Sequence, residues 1–284
     1  MAGFQPQSEV GFELRRWRER RRLTQLELAL NAGISARHLS FVETGRSKPG
    51  RAMLVGVLDR LEVPLRERNR LLLAAGHAPE YPERSLEDSD LGPVREALDE
   101  ILSSHDPYPA VAVDRVWNMI AANQAMLALT SGWDIDPALL EPPVNILRLG
   151  LHPRGLGPMY VDPESWRAHW VKRLERQLAM TGDEELATLR EEIAAYRLPQ
   201  PATPRSDSAG NNMLGPIRMR THDDGELAFF GMFAGFDTPF EVTTSELALE
   251  LLMPADPATA ERLHAWGAAA PADRAPSLPG VGGG

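Results

Sequence analysis

Residues 33–49 read GISARHLSFVETGRSKP. The side chains there that could do chemistry are hydrogen-bond donors: Ser35, Arg37, His38 and Ser40, then Arg46 and Lys48 after a glycine, with Ala36 and Phe41 set among them. An arginine fork can grip O6 and N7 of a guanine with two donors. A serine hydroxyl can reach a phosphate or a base. Phe41 cannot hydrogen-bond a base edge, but it can pack on a thymine methyl. His38 suits a phosphate contact or plain solvent equally well. This is chemistry of recognition, with no bond made or broken.

Bond-making motifs are missing elsewhere too. There is no G-x-S-x-G elbow, no phosphate-binding P-loop and no H-E-x-x-H pair. RGLGPM starts like a dinucleotide loop, but Pro158 interrupts it and no third glycine follows. The 7 histidines are scattered and there are 0 cysteines, so neither a metal cluster nor a disulfide framework is visible. The chain reads as a non-enzyme that needs no cofactor.

Charge is distributed unevenly. Residues 1–78 carry 14 Lys and Arg against 8 Asp and Glu, a net of +6; the remainder carries 16 against 32, a net of -16, which gives the overall -10. A basic third on an acidic chain suggests one region that meets polyanions and one that avoids them. No apolar run reaches the ~18 residues of a membrane span, and no signal segment opens the chain. With the lack of cysteine, this fits a cytoplasmic protein without a membrane partner.

Helical spacing accounts for residues 8–76. Val10, Leu14 and Trp17 share one face, and the arginines around them read as a solvated basic surface. Thr24 and Glu27 form a capping box. Leu26, Ala29 and Leu30 are the expected apolar face of that helix, which stops at Gly33. Ser35 caps a third helix with Ile34, Leu39 and Val42 inward. A fourth carries Met53, Leu54, Val57, Leu58 and Leu61. A fifth can hold Pro64 in its first turn, with Leu65, Leu72 and Leu73 buried. Two helices joined by a short glycine-containing turn make a helix-turn-helix, whose second helix enters the major groove of double-stranded DNA.

The stretch resembles the phage-repressor-like, or XRE-type, DNA-binding domain through Thr24-Gln25-x-x-Leu28-Ala29, Gly33-Ile34-Ser35, Leu39-Ser40, Glu43-x-Gly45 and Pro49. The resemblance implies that Gln25 bonds the phosphate backbone, that Ala36, Arg37 and Phe41 face bases, and that Arg46 and Lys48 contact phosphates. One recognition helix reads only a few base pairs, so a homodimer on a two-fold site is expected.

Residues 77–92, rich in proline and acid, read as a linker. A helix with Val94, Leu98, Ile101 and Leu102 on one side opens a second region, 93–268. Alternating residues predict two strands around Asp114-Arg115. Helices then follow at 144–150, after Asp162-Pro163 and at 184–196. RLPQPATPRSDSAGNN reads as a loop. A hairpin turns at Asp224-Gly225, a fifth strand or helix lies in FEVTTSELALELLMP, and a last helix starts at Asp256-Pro257. Residues 269–284 read as a disordered tail. The expected class is α+β in two domains: a five-helix bundle, then an antiparallel sheet with helices across it.

The second region resembles a PAS-like fold and, more narrowly, the ligand-binding domain of MmyB-like transcription regulators, through PAVAVDRVWNMIAANQAM, NILRLGLHP, WRAHWVKRLERQLA and FDTPFEVTTSELALELLMPAD. The resemblance implies a sequence-specific regulator that senses a small apolar ligand of the fatty-acid type. The residues are compatible with such a pocket, which needs apolar walls and a few polar groups. Trp117, Met119, Met159, Trp166, Trp170, Phe230, Met232 and Phe233 could supply the walls. Arg148, His152, Arg154 or His169 could hold a carboxylate. The same stripes also describe an ordinary core. Other readings stay open: a helical head that binds a protein partner, as in antitoxin-like proteins, a second domain carrying haem or flavin, or one that only dimerises.

Overall fold

The computed structural model describes residues 9–131, 133–198, 215–221, 223, 225–236 and 241–269. Most of the loop expected at 197–212, two residues of the expected 222–225 turn and nearly all of the expected tail lie outside these. The described residues form two compact units. One holds residues 9–84, 179–182 and 241–245, and the other holds the rest.

The first unit is built on five helices: α1 (Glu9–Arg20), α2 (Gln25–Asn31), α3 (Ala36–Glu43), α4 (Arg51–Arg60) and α5 (Leu65–Ala74). Val10, Leu14 and Trp17 are buried, as their spacing requires, with Leu39, Val42, Leu54, Val57, Leu58 and Leu61. The buried face of α2 is Leu28 and Ala29, while Leu26 and Leu30 are exposed. Seven residues give α2 fewer than two turns, so apolar spacing alone did not fix its orientation. Leu71 and Leu72, not Leu73, are the inward pair of α5. Pro64 stands at the N-cap of α5 rather than within its first turn.

Composition also misread part of 77–92. Asn69 of α5 is buried; its amide donates to the Tyr81 carbonyl at 2.7 Å and its oxygen accepts from the Glu80 and Tyr81 amides at 2.9 and 3.1 Å. His77 Nε2 lies 3.0 Å from the Pro49 carbonyl oxygen. Residues 77–84 are thereby part of the first unit. Further on, Ser89–Leu91 form a 3-10 turn with Leu91 buried. A proline-rich acidic segment looks unstructured when its backbone partners are distant in sequence, and here one buried asparagine supplies them.

The second unit begins with α6 (Gly92–Ser104) and contains a five-stranded antiparallel sheet in the order β2-β1-β5-β4-β3. The strands are β1 (Ala110–Val113), β2 (Met119–Ala122), β3 (Ile217–Arg220), β4 (Glu226–Gly235) and β5 (Ala248–Pro254). The chain crosses between β2 and β3 through α7 (Gln124–Thr130), α8 (Ile146–Leu151), α9 (Pro163–Thr181) and α10 (Glu184–Ala195), and α12 (Pro257–Ala269) follows β5. This is the expected α+β, PAS-like arrangement. FEVTTSELALELLMP divides into a short helix, α11 (Val242–Ser245), and β5, the central strand of the sheet.

Buried side chains pin the turns. Asn123 caps α7 through the Met126 amide, accepts from the Ala110 amide at 2.9 Å and donates to the Tyr108 carbonyl at 2.7 Å. Asn145 caps α8 and donates to the Val116 carbonyl at 2.7 Å. Trp117 sits in the β1–β2 turn at φ 71, not on a strand.

One close approach fixes the recognition element. A Cβ on Gly11 of α1 would lie 2.4 Å from the Val42 carbonyl oxygen and 2.8 Å from that of Glu43, at the end of α3. Backbone cannot yield as a flexible side chain does. Gly11→Ala is therefore predicted to destabilise the first unit by about 1–3 kcal/mol, although alanine is worth about 1 kcal/mol over glycine inside an unhindered helix. Denaturant unfolding measures this. Unchanged or raised stability would contradict the contact.

Candidate DNA and ligand sites

On α3 the side chains divide cleanly. Leu39, Val42 and Glu43 face the core. Ala36, Arg37, Ser40 and Phe41 are exposed or half-buried, as pairs four apart on a helix should be if they share a face. The Arg37 guanidinium lies over the Phe41 ring, 5.3 Å from its centroid. Ser35 caps the helix by accepting from the His38 amide at 3.1 Å. Gly33 makes the preceding turn at φ 66. Arg46 and Lys48 are exposed beyond the helix, and His38 is half-buried.

Behind that face is an ion pair that was not foreseen. Arg18 is buried, not solvated with its neighbours. Its Nε and Nη2 donate to the two Glu43 carboxylate oxygens at 2.7 and 2.9 Å, and its Nη1 donates to the Leu23 carbonyl at 2.8 Å. Glu43 also accepts from the Gln25 amide at 2.8 Å. The Gln25 side chain is thus engaged inside the protein, between the starts and ends of three helices. The hydrogen bond from Arg18 to Glu43 holds the guanidinium pKa above its usual value. A bidentate pair with every group satisfied is the geometry in which burial of charge is tolerated.

The second unit contains a cavity of about 380 Å³ between the sheet and α7, α8 and α9. Small-molecule sites span roughly 300–1,000 Å³. Its wall is apolar for most of its extent. Leu147, Leu149, Gly150 and Leu151 come from α8, Met126 and Leu129 from α7, and Val111, Met119, Ala122, Ile217, Met219 and Leu252 from the sheet.

Of the wall residues expected from sequence, Met119, Trp166 and Trp170 line this cavity. The others stand elsewhere. Trp117 packs edge-on against Trp170, with ring centroids 4.8 Å apart, and donates from Nε1 to Gln177 at 3.0 Å. It supports the wall from outside. Met159 is buried in the core beside Phe229. Phe230 and Met232 are exposed. The reason is parity: in β4 the residues paired with the inward Leu252 and Glu250 of β5 are Gly231 and Phe233, so 230 and 232 face outward. A run such as LAFFGMF is apolar on both faces and does not declare which is which.

None of the expected anchors lines the cavity. Arg148 pairs with Glu192 at 2.9 Å. His152 packs edge-on against Tyr196. Arg154 is exposed and pairs with Asp136 at 2.6 Å. His169 is exposed and stacks flat on Trp166, with centroids 5.0 Å apart. Cations on these helices find carboxylates at the surface, because burying them unpaired in an apolar wall would cost several kcal/mol.

Three polar lining residues were missed, Thr130 of α7 among them. Tyr160 lines the cavity, and burial raises its hydroxyl pKa. Glu250, on the inward face of β5, is 8% exposed and lines it as well. Burial pushes its carboxyl up to about 7, with the Arg173 charge pulling the other way. Arg173 itself is held over the Phe233 ring, 3.6 Å from the centroid, beside Trp117 and Trp170. The sequence signal was present: one carboxylate inside ALELLM is anomalous for a central strand. Among the described residues no group of three or more acidic or histidine side chains could hold a metal ion. No helix there is long and apolar enough to cross a membrane.

An outward basic helix on a five-helix head, with an apolar cavity in a separate sheet domain, defines a helix-turn-helix transcription regulator with a ligand-binding domain. The chain belongs to the MmyB-like transcription regulators: the model of that family's ligand binding domain matches residues 94–265, and a helix-turn-helix domain model matches 9–71. Both are regulator families, not enzyme families. A curated relative from Bacillus subtilis (strain 168), the uncharacterized HTH-type transcriptional regulator RghRB, is 37% identical over 84 residues. That match covers 29% of this chain and 58% of the relative, so the chain spans little more than half of the relative's length. Among solved structures, the clp gene regulator ClgR from Corynebacterium glutamicum matches at 24% identity and a TM-score of 0.22, over 35% of this chain and 93% of that one. An RNA-binding light-oxygen-voltage receptor matches at 13% identity and a TM-score of 0.25, over 93% of this chain and 65% of that one. Likenesses of that size carry no argument here.

The raised Glu250 pKa has a consequence for stability. An unfolded glutamate titrates near ~4.3, so the folded state binds a proton more tightly between there and about 7. Stability is fully present below the unfolded value and is lost as pH rises through the folded one. Glu250→Gln removes that slope. The variant should gain on wild type by roughly 3 kcal/mol between about pH 4 and pH 8, read as the difference in melting temperature at the two pH values. Parallel curves would place the carboxyl in a far wetter setting.

Proposed function

We propose that the protein is a sequence-specific, DNA-binding regulator of the XRE type that acts as a homodimer, and that its PAS-like domain senses a small apolar ligand of the fatty-acid class. The observation that carries the sensing half is the cavity, apolar over most of its wall, in the domain that the ligand-binding family model matches. The exposed or half-buried placement of Arg37, Ser40 and Phe41 on one helix, behind the Ser35 cap, supports the DNA half. A ligand acts on such a protein only through different affinities for the DNA-competent and incompetent states.

The cavity reading is tested by denaturing the purified protein, extracting with organic solvent and identifying co-purified molecules by mass spectrometry. A stoichiometric single-chain lipid is expected. Gly150 lines the cavity, and a Cβ there meets only the Tyr160 hydroxyl, at 3.6 Å. Gly150→Leu should fill the space and abolish co-purification while the protein still folds. An empty extract from wild type, with no thermal shift on adding acyl compounds, would leave a second domain that only assembles the dimer.

For the head, Arg37→Ala should cost about 1–3 kcal/mol on the best site and relax preference at one base pair. Lys48→Ala should weaken binding to all sequences alike and reduce the salt slope by about 1. Fluorescence anisotropy against a selected duplex and its single-base variants measures both. A sequence-selective loss for Lys48→Ala would contradict a phosphate role.

A further inference from the structure

The cavity wall has one polar corner. Glu250, Tyr160 and Trp166 all line the cavity. The Tyr160 and Trp166 rings are 5.7 Å apart, and the Tyr160 hydroxyl senses the Glu250 charge. The Trp166 indole N–H is buried against the Tyr160 hydroxyl and does not open onto the cavity. Glu250 makes no side-chain hydrogen bond among the described residues, although it is 8% exposed on a central strand. Buried polar groups left in this state are rare, and each needs a reason. A carboxylate can only accept. It leaves an open position for a donor.

The corner has no cation. None of the lining side chains is Lys, Arg or His. The cation that acts on Glu250 is Arg173 of α9, stacked over Phe233, which pairs with Glu250 across β4 and β5. That single charge already faces one buried acid. A ligand carboxylate would bring a second negative charge beside the first, and like charges in a buried site exclude each other.

We propose that the cavity selects a single-chain amphiphile with an uncharged headgroup that donates a hydrogen bond to Glu250: a fatty alcohol, a primary fatty amide, or a fatty acid in its protonated form. This rests on the reading of the domain as a sensor of apolar chains and names the headgroup chemistry. Glu250 is then the residue that rejects the carboxylate form, and the apolar wall recognises the tail.

The test uses the full-length protein with decanol, decanamide, decanoate and methyl decanoate at about pH 8, where a free fatty acid is ionised. Binding is followed by tryptophan fluorescence, since Trp166 and Trp170 line the cavity. Decanol and decanamide should bind about tenfold or more tighter than decanoate, because the ion must enter beside the acid. Glu250→Gln keeps an acceptor and removes the charge. It should tighten decanoate by about tenfold and leave decanol within a few-fold, closing most of the gap. Decanoate binding as tightly as decanol, or a ratio unmoved by Glu250→Gln, overturns the headgroup assignment and leaves the sensor reading in place. If no compound binds, the methyl ester included, the sensor reading falls and this proposal falls with it.

Discussion

The second unit depends on a single choice of parity. Side chains alternate across a strand, so fixing one residue of β5 fixes every other residue along β4 and β5. With Glu250 and Leu252 inward, their β4 partners Phe233 and Gly231 are inward too, and Phe230 and Met232 are outward. Gly231 is exposed at the edge of that face, and the cavity is lined from the sheet by other residues. That assignment also places a carboxylate on the innermost face of the sheet. A slip of one residue would bury Phe230 and Met232, expose Glu250 and remove the polar corner.

The first unit rests on a different constraint, which is close packing around α3. Gly11 lets α1 approach the carbonyls at the end of that helix. Glu43 then receives Arg18 from α1 and Gln25 from α2. Three helices meet on one carboxylate. The outward residues of α3 are presented by a scaffold whose own charges are satisfied internally, so the exposed arginine and lysine beyond it are left for other partners. Removing one member of such a network leaves a buried charge uncompensated, which makes the angle of the recognition helix a property of residues that do not face outward.

Much of this was legible in the chain. Capping chemistry at Thr24 and Ser35 is local: a side chain satisfies backbone two or three residues away, so type and spacing suffice. The helix-turn-helix and the order of strands and helices follow from such short-range signals. The linker was misread because the partner of 80–81 is Asn69, more than ten residues back. The anchors were misread because Arg148 and Arg154 meet carboxylates that are close only in space.

Sequence alone determined which elements exist, where they start, and that one region is basic and the other acidic, because those properties depend on neighbours within a turn or two. Of the cavity wall it named only Met119, Trp166 and Trp170, and missed the leucines of α7 and α8. Only the tertiary structure decided which apolar residues face the cavity, since parity in β4 and helix orientation in α2 are set by partners far along the chain. It alone showed that the wall includes an acid, Glu250. A carboxylate is kept in such a place through long-range packing, and its environment, not its type, sets its charge.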